Sequence, residues 1–244
     1  IQELDDLCAT GKFIGLGEGP ASRPDSLHGL IRKTYDHSER MDELRMTMDV
    51  GRKYKIPVTI HTGSPGGYPF SYTRWPENQH PYWVSDLAAE YPDVPIIFDH
   101  GGMQGGYMTS LVDECISTAS NFNNVYLETG LYWTDLYYRA LKYPNVGPEK
   151  LIWGTDWGAS IPTQTRIGNE PQSFGMQVHK DGIIRHQCDV FGWSLRQIEQ
   201  LDISQDDINL IVGGNALKLF GIDFPLTRMF RGLDEIGRTN KEAH

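Results

Sequence analysis

The sequence predicts a parallel α/β fold. Three observations predict it: five short, near-continuously apolar runs recur along the chain, each closes on a polar residue and a glycine-containing turn, and helix-like stretches separate them. Continuous apolar runs suit parallel strands covered on both faces. Strand and helix in strict alternation imply βαβ units.

The first run is Phe13-Ile-Gly-Leu-Gly-Glu18, followed by Gly19-Pro20. The second is Val58-Thr-Ile-His61, before a Gly/Pro-rich loop. The third is Ile96-Ile-Phe-Asp-His100, followed by Gly101-Gly102, and the fourth is Val125-Tyr-Leu-Glu128, followed by Thr129-Gly130. The fifth is Leu151-Ile-Trp-Gly-Thr-Asp156, followed by Trp157-Gly158. Helices are expected over 38–54, 82–91, 108–120 and 134–143, three of them stopped by Pro57, Pro92 and Pro144. The polar stretch 158–189 reads as an active-site loop or an insertion. A helix is expected over 190–201. Another spans 204–212, opened by a Ser204-to-Asp207 capping box and broken by Gly213-Gly214, and a short helix follows over 215–220. The tail beyond Arg228 is charged and expected to fray. The domain reading is 1–222 for the α/β unit, with 158–189 inserted, and 223–244 for the tail.

Composition narrows the function classes. With 22 Lys+Arg against 32 Asp+Glu, the formal charge of the 244 residues is −10, which disfavours nucleic acid and anionic membranes as partners. No run approaches the roughly 18 apolar residues of a membrane span. Residues 1–10 lack the apolar core of a signal peptide. Three scattered cysteines, Cys8, Cys115 and Cys188, make neither a disulfide framework nor a Cys-rich zinc site. The expected location is the cytoplasm, and the expected partners are a small-molecule substrate and further copies of the chain.

The run-terminal residues carry the chemistry. Parallel α/β folds place their sites at the C-terminal ends of strands. Here those ends hold Glu18, His61, His100, Glu128 and Asp156, separated by 43, 39, 28 and 28 residues. Each spacing accommodates one βα unit. Imidazoles and carboxylates delivered to one rim are ligands for a divalent metal. Each also has a structural reading. Either histidine can be a hydrogen-bonded structural residue, Asp156 a cap, Glu18 an anion at a helix start, and Glu128 an ion-pair partner of a neighbouring Arg. Arg74, Trp75, Tyr132, Trp133 and Trp157 follow the run ends. They suit a flat or apolar substrate with a carboxylate, or else loop packing or an oligomer interface.

Three of these runs, together with Gly213-Gly-Asn-Ala-Leu-Lys-Leu-Phe-Gly221, resemble the amidohydrolase superfamily. The branch most similar is the amidohydrolase-related group, which includes aminocarboxymuconate-semialdehyde decarboxylase, aromatic-acid decarboxylases and lactone hydrolases. The resemblance implies a TIM-type (β/α)8 barrel with one or two divalent metals, Zn2+ first and Mn2+ or Fe2+ as alternatives. It implies His61 as the fifth-strand metal ligand and His100 as the sixth-strand ligand or acid/base. Asp156 becomes the eighth-strand ligand and proton shuttle, and Glu18 a fourth-strand metal ligand. Arg74, Trp75, Trp133 and Trp157 would then contact substrate. The implied activity is hydrolysis of a small cyclic or aromatic carboxylate, lactone or amide. Alternatives are non-oxidative decarboxylation and a non-catalytic barrel scaffold. The family's first-strand His-x-His motif is absent from these runs, so only strands four to eight are expected here. Three βα units would lie upstream or come from another chain.

Overall fold

Each strand is short and apolar, and each is returned to its neighbour by a helix. The computed structural model describes residues 2–20, 37–62, 80–103, 109, 111–130, 132–155, 161–167, 170–174 and 190–223. In chain order the elements of the parallel unit are α1 (Gln2–Ala9), β1 (Leu16–Pro20), α2 (His37–Tyr54), β2 (Val58–His61) and α3 (Val84–Glu90). They continue with β3 (Ile96–Asp99), α4 (Val112–Asn121), β4 (Val125–Glu128), α5 (Thr134–Lys142) and β5 (Leu151–Ile152).

The sheet order is β1-β2-β3-β4-β5, every pair parallel. A doubly wound sheet reverses its order at a switch point, whereas consecutive order with right-handed crossovers keeps the helices on one face. The arc therefore follows the pattern of a (β/α) barrel wall.

Alternation along the strands decides which side chains meet the helices. Val58, Ile60, Ile96, Phe98, Val125 and Leu127 are buried in the core with Leu87, Val112, Ile116 and Leu136. Full burial of each such side chain stabilises by about 1.5–3 kcal/mol. The opposite face carries the aligned row Thr59, Ile97 and Tyr126. In β2 and β4 this face is half-buried, so full cover on both faces, expected from the apolar runs, does not hold there.

Two helix ends show how polar groups are satisfied. Lys150 is 8% exposed, and its ammonium donates to the carbonyls of Ala119 and Phe122 at the end of α4. It occupies the position where a helix dipole favours a cation. Ser204 caps α7 (Gln205–Asn209) by accepting from the Asp207 amide at 3.1 Å, as the capping box predicts.

Within the 158–189 stretch, β6 (Ile161–Ile167) and β7 (Glu170–Phe174) pair as an antiparallel hairpin. One expectation is corrected. Gly213-Gly214 does not break the helix. The chain passes through a π-helical turn, Leu210–Gly214, into α8 (Asn215–Leu219). The buried Asn215 amide donates to the carbonyls of Pro148 and Leu151 at 2.8 Å each, tying this segment to β5. α6 (Val190–Glu199) supplies Ser194, which accepts from the Trp153 indole at 2.8 Å just beyond β5.

Candidate active site at the strand ends

The two-residue period of a strand puts His61 on the face of Thr59, and Glu128 on the face of Tyr126. Both therefore emerge on the side away from the helices, at the C-terminal ends of β2 and β4. Continued as a strand, His100 would fall on the opposite face from its neighbour Asp99. It does not continue as a strand. Its φ is +62°, and Gly101 and Gly102 follow at +49° and +83°. Left-handed backbone at a non-glycine residue costs about 1–3 kcal/mol unless its surroundings hold it. This turn brings the His100 ring against His61, with centroids 4.9 Å apart and planes at 72°.

Side chains from three segments hold the turn. The His100 amide donates to Glu128 Oε2 at 2.8 Å. The Tyr132 hydroxyl donates to the Gly101 carbonyl at 2.8 Å, and the Gly102 amide donates to Thr62 Oγ1 at 2.9 Å. The Thr62 hydroxyl in turn donates to the Asp99 carbonyl at 2.8 Å, and the Met103 amide closes back on the His100 carbonyl at 2.8 Å. Each such bond contributes roughly 0.5–1.5 kcal/mol, and about 1.5–3 kcal/mol where the acceptor is charged. Together they offset the strain. Tyr132 is fully buried, and burial pushes its phenol well above the ordinary range, so it remains a donor. Gly101 has no room for a side chain, since a Cβ there would stand 2.5 Å from the Tyr132 hydroxyl.

Glu128 faces two strand ends. Its Oε2 takes the His100 amide and lies 3.7 Å from His100 Nδ1. Its Oε1 lies over Gly154, where a Cβ would fall only 1.7 Å away. The Glu128 and His100 side chains are 16% and 12% exposed.

Of the sequence-derived site residues, the structure joins His61 and His100. Glu18 lies on β1, whose end pairs Pro20 with His61, and only its backbone is described. Trp133 precedes α5 and is half-buried against the core. Arg74, Trp75, Asp156 and Trp157 lie outside the described residues. Tyr132, for which substrate contact and loop packing were both open, is fully buried and braces the turn. Glu128, a run-terminal residue whose structural reading was an ion pair with Arg, accepts the backbone amide of His100.

The donor chemistry suits a divalent metal, because imidazole nitrogens reach one rim from different strands. Among the described residues, His, Cys, Asp and Glu side chains do not gather in a group of three able to hold an ion.

The amidohydrolase family model matches residues 26–222, so the chain belongs to the amidohydrolase family. No curated protein matches the chain. Among solved structures, an amidohydrolase from Burkholderia multivorans with bound zinc is 13% identical, with a TM-score of 0.51. That alignment covers 89% of this chain and 70% of that one, and it supports the fold alone. Amidohydrolase 2 from Bifidobacterium longum subsp. infantis is 12% identical over 72% of this chain, with a TM-score of 0.41. The chain spans 54% of that protein's length.

Proposed function

We propose that the protein is a metal-dependent hydrolase of the amidohydrolase-related branch, acting on a small cyclic or aromatic carboxylate, lactone or amide. The observation that carries the reading is the meeting of His61 and His100 at the C-terminal ends of adjacent parallel strands, in a chain of the amidohydrolase family. Zn2+ is the first choice, with Mn2+ or Fe2+ as alternatives, held by His61, His100, Asp156 and Glu18. When bound, a divalent cation lowers the pKa of water toward about 7 and polarises a carbonyl.

In this reading the Asp156 carboxylate would take the proton of the attacking water and return it to the leaving group. The His100 turn, fixed by Glu128, Tyr132 and Thr62, holds its imidazole toward His61. Preorganisation of this kind is worth more than flexible placement, because displacing a catalytic group by about 1 Å can cost a hundredfold in rate. In this reading Arg74 grips a carboxylate of the substrate, and Trp75, Trp133 and Trp157 contact its apolar part.

A panel of lactones, amides and aromatic or muconate-type acids tests the proposal. Ring or amide opening without CO2 release is expected. CO2 release from the acids would give the decarboxylase reading instead. Absence of any turnover together with absence of bound Zn, Mn and Fe would leave the barrel as a scaffold.

A further inference from the structure

The carboxylate of Glu128 touches the ends of two strands that are not its own. One oxygen accepts the amide of His100 at 2.8 Å, at a residue with φ of +62°. The other occupies the space that any side chain at position 154 would need. Glu128 is mostly buried, and it sits between β3 and β5 in the sheet order. We propose that Glu128 is a positioning residue: through the His100 amide it holds the left-handed turn that aims the His100 ring, and Gly154 is required to leave its carboxylate room. The metal-site reading gives His100 its importance, so the functional weight of this proposal rests on that reading. The hydrogen bond itself does not.

The bond needs an acceptor oxygen at the end of the side chain. Glutamine keeps one and alanine removes it. Alanine at 154 displaces the carboxylate by collision, with the same consequence for His100. Once residue 128 is alanine, that collision has no partner, so the two positions are coupled.

The test is amide NMR with hydrogen exchange on the whole chain, read at His100, with no metal and no substrate added. Glu128→Ala is expected to move the His100 amide resonance upfield and raise its exchange at least tenfold. Glu128→Gln is expected to keep exchange within about threefold of wild type. Gly154→Ala is expected to reproduce the loss. Adding Gly154→Ala to Glu128→Ala is expected to cause no further loss. Unchanged exchange and shift at His100 in Glu128→Ala would overturn the proposal, as would full additivity of the two alanine substitutions. Failure of Glu128→Ala to fold leaves Glu128→Gln and Gly154→Ala to decide: a threefold limit broken by the first, or no effect from the second, contradicts the proposal. Full turnover in His100→Ala would instead sink the metal-site reading and leave the NMR result standing.

Discussion

The body of β3 and the turn that follows it are adjacent in sequence and opposite in kind. Ile96, Ile97 and Phe98 are at most 2% exposed, in extended backbone, held by burial and by ladder bonds to both neighbours. Residues 100–102 are left-handed throughout and held by single bonds from Glu128, Tyr132 and Thr62. Burial is non-directional and spread over many contacts, so the strand body tolerates change in proportion to lost volume. The turn depends on a few directed bonds, so the proposed role of Glu128 predicts that one lost oxygen redirects the His100 ring without unfolding the domain. Stability resides in the strand bodies, and the proposed site lies at their ends.

Substitutions at the ends should separate activity from stability most widely. His61→Ala and Asp156→Asn are each expected to abolish turnover while the circular dichroism spectrum and urea midpoint stay near wild type. Unchanged turnover in either would remove that residue from the mechanism. In the strand body the order reverses. Phe98→Ala is expected to lower unfolding free energy by about 3–5 kcal/mol, read from urea denaturation, with the substrate profile of the remaining folded protein unchanged. A loss below about 1 kcal/mol would mean that the core is not where the structure places it. Tyr132→Phe lies between the two regions. It removes the donor to the Gly101 carbonyl and is expected to cost about 1–3 kcal/mol and to speed amide exchange at residues 101–103. Arg52→Gln should do least. Its partner Asp93 lies 2.6 Å away but both groups are solvent-exposed, so the urea midpoint should shift less than in any other variant, and less again in high salt.

The same contrast explains what the sequence made legible. Val58–His61 and Val125–Glu128 were bounded to the residue, because an apolar run and its polar terminus coincide with a strand and its end. The helix over 134–143 was legible as the stretch stopped by Pro144, and Leu136, Tyr137 and Ala140 form its buried side. The rim was legible as residue types but not as geometry. His100 was read as the last residue of a strand. It begins a left-handed turn, which only the following Gly-Gly hinted at. Tyr132 was open to substrate contact and to loop packing because aromatic residues serve both roles, and burial distinguishes them. Glu128 was open to an ion-pair reading because a backbone amide leaves no signature in the sequence of its acceptor. The helix over 2–9 was missed for lack of a long apolar period. The β6–β7 hairpin was missed because its polar strands lack the apolar alternation that marks a half-buried strand. Gly213-Gly214 misled in the other direction, because a π-helical turn absorbs glycines that usually end a helix.

The central claim is that His61, His100 and Asp156 share one divalent cation at the strand ends. Elemental analysis of the purified protein beside its His61→Ala and Asp156→Asn variants tests it most directly. The account predicts stoichiometric Zn, Mn or Fe in the parent protein and its loss from both folded variants. Equal metal content in all three, or none in the parent protein, would contradict it.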